Sequence, residues 1–131
     1  MAFIVKKING VYHFLVQAKL ESGNFDVIEM APTVQCLTGN YRQREYEPAY
    51  LDYVLTAKPE QIRLSSYQSE EGGRFYREQN HNLIIEADDN FSEEVPENYI
   101  WMTLNQMLSF IQYNNYLNVE ARSLISCIRF V

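Results

Sequence analysis

Asn9-Gly10 sits between two apolar runs, residues 3–8 and 11–20. Both residue types tolerate the positive φ that a two-residue turn needs, so this dipeptide predicts a β-hairpin. In the second run Tyr12, Phe14, Val16, Ala18 and Leu20 fall on one face by strand alternation. His13, Leu15, Gln17, Lys19 and, if the strand continues, Glu21 fall on the other. That second face becomes polar towards its end, where the strand is expected to enter a pocket.

A turn is expected at Glu21-Ser22-Gly23-Asn24, followed by a strand over residues 27–37. Its alternation puts Ile28, Met30, Val34 and Cys36 on one face and Glu29, Thr33 and Gln35 on the other. Pro32 cannot donate to a ladder, so this strand should be an edge, bulged or interrupted there. Residues 38–48 read as loop, residues 50–57 as a short helix ended by Pro59, and residues 62–69 as a strand. Gly72-Gly73 permits a turn or bulge, with further strands over 74–77 and 82–87. The acidic stretch 87–98 reads as a solvated loop and residues 99–102 as a short strand. Thr103 and Gln106 form a capping box ahead of Leu104, Met107, Leu108 and Ile111 at helical spacing. Asn118 reads as the N-cap of a last helix, with Ala121, Leu124, Ile125 and Ile128 as its apolar stripe. Residues 1–131 are thus expected to form one α+β domain, mostly strands first, with helices concentrated at the end.

A formal net charge of −6, with no basic patch, argues against nucleic acid as a partner. Cys36 and Cys127 form neither a metal spacing nor a disulfide framework, and their apolar surroundings suggest buried free thiols. His13 and His81 are isolated, and no metal site is expected. No signal-peptide pattern and no membrane-length apolar run is present, so the cytoplasm is the expected compartment and no membrane partner is expected.

The block from Gln68 through Glu70-Glu71-Gly72-Gly73-Arg74 to Asn80-His81-Asn82 is too polar to be core. Gln17-Ala18-Lys19-Leu20-Glu21-Ser22-Gly23-Asn24 and Pro32-Thr33-Val34-Gln35 echo it upstream. Together they suggest a site for a polyhydroxylated, anionic small molecule, with the anion falling to Arg74, Arg77, Arg122 or Lys19.

The spaced motifs resemble one family along nearly the whole chain. They are Gln17-Ala18-Lys19-x-Glu21-x-Gly23-Asn24, Pro32-Thr33-Val34-Gln35, Asn40-Tyr41 and Gln68-Ser69-Glu70-x-Gly72, with Phe75. Asn80-x-Asn82, Trp101-x-Thr103-Leu104 and Leu117-Asn118-x-x-x-Arg122 complete the series. This pattern is similar to that of the nucleotide-diphospho-hexose 2,3-dehydratases. The resemblance implies a Nudix-like mixed β-sheet with C-terminal helices but without Nudix chemistry. It also implies a lyase acting on a nucleotide-linked 4-keto-6-deoxyhexose, usually the thymidine diphosphate (dTDP) sugar, in deoxysugar biosynthesis, with no cofactor. Members typically carry two such repeats, and this sequence carries one, which implies a homodimer that rebuilds the pair. Ser22 stands where the family usually has proline, His81 where it has arginine, and Glu78-Gln79 replaces a basic pair. The alternative, favoured by the single repeat and the reduced positive charge, is a non-catalytic nucleotide-sugar-binding module or partner subunit.

Eliminating water beside a ketone needs a base, an acid for the departing hydroxyl, and a donor for the enolate oxygen. Glu70 or Glu21 is the candidate base, Lys19 the oxyanion or phosphate ligand, and Tyr41 the acid or hydroxyl holder. Gln17, Gln35, Asn40, Asn80 and Asn82 are the expected sugar and base contacts, Arg74 the diphosphate clamp, and Arg122 a second phosphate contact. Trp101 reads either as a stacking platform or as a core residue ahead of the helix.

Overall fold

In the computed structural model the described residues are 1–20, 28–35, 49–72, 75–112, 117–126 and 128. At positions 19, 20, 28, 68–72, 75–80, 119, 120 and 123 this description covers the backbone alone. Glu21, Cys36, Asn40, Tyr41, Arg74 and Cys127 lie outside the described residues, as do the 21–24 turn and the 38–48 loop.

The opening hairpin forms where expected. Strand β1 (Ala2–Ile8) and strand β2 (Val11–Leu20) pair antiparallel from Val5↔Phe14 to Ile8↔Val11. Asn9 (φ 51°) and Gly10 (φ 80°) both take the left-handed conformation that the tight turn demands. Strand β3 (Ile28–Ala31) pairs antiparallel with the far end of β2, Gln17↔Ala31 to Leu20↔Ile28. Strand β4 (Ile62–Gly72) and strand β5 (Phe75–Glu86) form a long antiparallel hairpin. β5 joins the sheet parallel to β1, from Ala2↔Leu83 to Val5↔Glu86. Strand β6 (Tyr99–Thr103) pairs antiparallel with residues 13–17 of β2. The strand order is β3-β2-β1-β5-β4, with β6 on β2. His13 pairs with both Lys6 and Thr103, and Gln17 with both Ala31 and Tyr99, so β6 holds one edge of β2 while β1 and β3 share the other.

That shared edge is where the sheet splits. Continuing the hairpin register would set Ile4 against Leu15, but Thr33 is inserted there. Its Oγ1 accepts a hydrogen bond from the Ile4 amide at 2.9 Å and donates to the Leu15 carbonyl. Just beyond, Ala2 and Val34 exchange backbone bonds of 2.8 and 3.0 Å. Pro32-Thr33-Val34-Gln35 therefore wedges β1 and β2 apart while satisfying the buried backbone groups it separates.

Each strand alternates between two cores. Phe3, Val5, Phe14, Val16 and Ile84 pack on one face with helix α2 (Leu104–Ile111) and helix α3 (Val119–Ser126). Ala2, Ile4, Leu15, Ile85 and Tyr99 pack on the other with helix α1 (Leu51–Leu55) and the 87–98 segment. The domain is α+β with both faces of a mixed sheet covered. Thr103 caps α2 by accepting from the Gln106 amide at 3.2 Å, while the Gln106 side chain accepts from the Thr103 amide at 2.8 Å.

Two sequence expectations change. The 27–37 strand shortens to β3, because Pro32 ends it. Met30 then packs in the α2–α3 core and Val34 in the α1 core, so the single alternation expected through both is broken. The two strands expected at 74–77 and 82–87 are instead one continuous β5, since the intervening polar residues keep their ladder to β4.

Thr33→Val keeps the side-chain shape but leaves the buried Ile4 amide and Leu15 carbonyl without this partner. The expected loss is about 1–3 kcal/mol of unfolding free energy in urea titration. Thr33→Ser, which keeps the hydroxyl, should lose less. A Thr33→Val protein as stable as the parent would show that the wedge does not hold the split.

Candidate functional site

The strand directions bring one set of termini together. β2 runs antiparallel to β1 and β6, and β5 runs parallel to β1. The start of β1, the end of β2 and the start of β6 therefore share one end of the sheet. β1 meets β5 only from Leu83 onward, whereas β4 and β5 stay paired through Gln68↔Asn80 and Glu70↔Glu78. Beyond Leu83 the hairpin continues from this same end as a two-stranded ribbon. The β2–β3 tip forms one side of the end, the ribbon the other, and Pro32–Gln35 fills the gap beside Ala2.

Gln17, Lys19, Gln35, Glu70, Asn80 and Asn82 all belong to this end, but the sheet places them on two faces. Gln17 and Lys19 occupy the strand positions in phase with Leu15, on the α1 face. Glu70, Asn80 and Asn82 are in phase with Leu64 and Ile84, on the α2–α3 face. Asn82 is fully buried and lies opposite Ser66.

Both candidate glutamines fasten the wedge. Gln17 donates from Nε2 to the Pro32 carbonyl at 3.0 Å, and its Oε1 accepts from the Tyr99 hydroxyl at 3.4 Å. Tyr99 also lies 3.4 Å from the Thr33 carbonyl. Gln35 Oε1 accepts from Asn118 Nδ2 at 2.8 Å. Asn118 in turn accepts from the Ala121 amide at 2.8 Å as the cap of α3, and its own amide donates to the Met30 carbonyl at 2.9 Å. Asn118 is thus the helix cap the sequence indicates and also a cross-link between α3 and the wedge.

Trp101 lies apart from the ribbon. Its ring meets Phe91 edge-to-face at 5.9 Å, and its Nε1 donates to the Glu93 carbonyl at 3.0 Å. Phe91 also contacts Tyr50 and Tyr53, so Trp101 borders an aromatic cluster and is half-buried. Arg122 is exposed on α3.

Two features had no counterpart in the sequence reading. On the ribbon, Tyr67 and His81 are cross-strand partners whose rings stack at 4.4 Å and 10°. Ser65 Oγ lies 2.8 Å from His81 Nε2. On the α2–α3 face, Val5, Tyr12, Phe14, Arg63, Leu64, Ile84, Leu104 and Ile128 line a groove of about 610 Å³. Glu86 fixes two of these by pairing with Arg63 Nε and accepting from the Tyr12 hydroxyl at 3.2 Å. Counting outward from Gly72-Gly73 would pair Tyr67 with Glu78, so the Tyr67–His81 pair depends on the register shift beside the turn, and the groove depends on contacts between distant elements.

Burial lowers the pKa of His81, and the positive charge of the Met1 amino group adds to the effect. A depressed imidazole favours folding above its unfolded value of about 6.5 and loses that support as pH falls through the lower folded value. The C2-proton resonance of His81 should therefore titrate below pH 6.5. Urea midpoints should fall between pH 7 and pH 5 by more in the parent than in His81→Gln. Equal losses in the two proteins would remove His81 as the cause.

A family model described as "NDP-hexose 2,3-dehydratase" matches residues 1–128. Three relatives are each named "dTDP-4-dehydro-6-deoxy-alpha-D-glucopyranose 2,3-dehydratase". The one from Streptomyces violaceoruber is 47% identical over 98% of this chain and 29% of its own. The Saccharopolyspora spinosa protein is 45% identical over 96% of this chain and 26% of its own. The Amycolatopsis orientalis protein is 43% identical over 98% and 27%. The chain thus spans between 26% and 29% of the length of these relatives. Among solved structures it is similar to the C. elegans Ap4A hydrolase, with a TM-score of 0.46 and 13% identity over 86% of this chain and 83% of that one. Because the family model matches residues 1–128, nearly the whole of this chain, the chain belongs to the NDP-hexose 2,3-dehydratase family.

Proposed function

We propose that this chain removes water across C2 and C3 of a nucleotide-diphospho-4-keto-6-deoxyhexose, the dTDP sugar foremost, and that it works as a homodimer. The observation that carries this reading is identity of 43% to 47% to the named dehydratases, running over at least 96% of the chain.

The C3 hydrogen of such a sugar is acidified by the C4 ketone. A base takes that proton, the electron pair forms C2=C3, and the C2 hydroxyl leaves as water with a proton from an acid. The resulting enol loses its C3 hydroxyl proton, takes a proton at C2 and becomes the 3,4-diketo-2,6-dideoxy sugar. The elimination is redox-neutral, so the steps need acid–base and electrostatic help alone.

Glu70 or Glu21 takes the C3 proton, Lys19 stabilises the enolate oxygen, and Tyr41 protonates the leaving hydroxyl. Gln17, Gln35, Asn40, Asn80 and Asn82 orient sugar and base. Arg74 grips the diphosphate, with Arg122 as a further phosphate contact and Trp101 as a stacking surface. Gln17, Lys19, Gln35, Glu70 and Asn80 share one end of the sheet, with Gln17 and Lys19 on one face and Glu70 and Asn80 on the other. The bonds of Gln17 and Gln35 to the wedge give their amides fixed orientations, which is the positioning a sugar hydroxyl requires.

Incubation with dTDP-4-keto-6-deoxyglucose in deuterated water, followed by NMR, tests the reading. Exchange at C3 with loss of the C2 hydroxyl is expected. Glu70→Gln or Glu21→Gln, whichever removes the base, should slow turnover by about 10²–10⁴-fold. Lys19→Met should cost about 10²–10³-fold. Binding without exchange would select a non-catalytic nucleotide-sugar module, and unchanged turnover in both glutamine variants would remove both bases. Light scattering at micromolar concentration should give a dimer mass, and a monomer would end the homodimer reading.

A further inference from the structure

We infer that Glu29 is the proton carrier of the last step, taking the proton of the C3 hydroxyl from the enol and delivering it to C2. This rests on the dehydratase reading and fills the one step of it to which the motif residues bring no group.

Glu29 is 8% exposed and is the only buried charged side chain among the described residues. The other carboxylates with described side chains are exposed, apart from half-buried Glu86, which pairs with Arg63. Holding a carboxylate out of water costs stability unless polar partners surround it. A strand that served only as sheet edge would have no use for one.

Its place on the sheet is fixed by a ladder without register shifts. β3 meets β2 as Gln17↔Ala31, Ala18↔Met30, Lys19↔Glu29 and Leu20↔Ile28. Met30 packs against the α2–α3 core, so Glu29 beside it belongs to the α1 face. Gln17 and Lys19 occupy that same face, since directly opposed residues of an antiparallel pair share one. Glu70, Asn80 and Asn82 are in phase with the other face. A buried carboxylate thus stands at the candidate end of the sheet, on the face of Gln17 and directly opposite the strand position of Lys19.

Opposed residues of an antiparallel pair have their Cβ atoms about 4.5–5.5 Å apart. Two side chains rooted that close address neighbouring atoms of one ligand. With Lys19 on the oxygen of C4, the oxygen next to it on the ring is the C3 hydroxyl. Loss of water leaves an enol, with a C2=C3 double bond and a hydroxyl on C3. The Glu29 carboxylate takes the hydroxyl proton, and the O–H electron pair becomes the second bond of the C3 ketone. The C2=C3 pair shifts to C2, which takes the proton back from the Glu29 carboxyl. The carboxylate is regenerated, and the step consumes no further reactant. Both C2 and the C3 oxygen are bonded to C3, so one carboxyl reaches both. It approaches from one side, and C2 therefore receives its proton on one face.

The test is turnover of dTDP-4-keto-6-deoxyglucose in deuterated water, with the product trapped by borohydride within the first turnovers and read by NMR. The parent should carry deuterium on a single face of C2. Glu29→Gln should still exchange C3 and lose the C2 hydroxyl, but release the enol to solvent and so carry deuterium on both faces of C2. Should that variant fail to fold, Glu29→Asp keeps the charge, withdraws the carboxyl by one methylene group and should also give the mixed label. A parent that labels both faces, or a folded Glu29 variant that keeps a single face, would overturn the inference. So would loss of C3 exchange in step with C2 labelling, since that is what a scaffold role predicts. A parent without any C3 exchange would sink the dehydratase reading itself, a result distinct from exchange with a mixed label at C2.

Discussion

The hydroxyl of Thr33 sets the shape of the whole domain. A β-hairpin as regular as β1–β2 would run as a closed ladder through Ile4 and Leu15. By accepting from one and donating to the other, a single side chain replaces the ladder and lets another segment enter. The substitution works because both backbone groups remain satisfied in a fully buried setting, where an orphaned group would cost about 1–3 kcal/mol. Once the strands part, β3 takes the far end of β2 and Val34 the near end of β1, while β5 pairs with the opposite edge of β1. The β2–β3 tip and the ribbon consequently stand on either side of the gap.

The wedge is fixed by side-chain amides and one phenol hydroxyl. Gln17 holds the Pro32 carbonyl, Tyr99 reaches the Thr33 carbonyl, and Gln35 is held by the cap of α3. These contacts tie the helix on one face to the strand that leads into the candidate site on the other. Motif residues that read as ligand contacts in the sequence therefore also serve as scaffold. The two roles are compatible, since an amide offers two donors and an acceptor with two lone pairs.

The parts of the fold legible in the sequence are the local ones. Asn9-Gly10 specified its hairpin, Thr103 and Gln106 their capping box, and Asn118 its helix start, because each signal lies within a few residues of its effect. The wedge was not legible, since Thr33 acts on Ile4 and Leu15 across stretches of 29 and 18 residues. Pro32 marked the interruption but not the transfer of Val34 to the opposite core. The continuity of β5 was hidden by its polar middle, which reads as loop when neighbouring strands are unknown. The candidate site was legible as a set of motifs, but its division between the two faces required the register. Trp101 was readable either as platform or as core. Its packing on Phe91 is set by the 87–98 segment, which composition alone marks as solvated loop.

The ribbon poses the remaining physical question. A two-stranded hairpin without a third strand is marginal in water, even with a good turn. Along residues 68–80 the composition is polar, and no third strand lies beside it among the described residues. What anchors its base is visible: the parallel ladder to β1, the buried Asn82, and the Tyr67–His81 stack reinforced by Ser65. A neutral imidazole suits that stack, because burial disfavours its charged form. Farther out, cross-strand pairs contribute only about 0.2–1 kcal/mol each, and Glu70 opposite Glu78 opposes pairing. A fixed placement of Glu70 therefore needs contacts beyond the cross-strand pairs of β4 and β5.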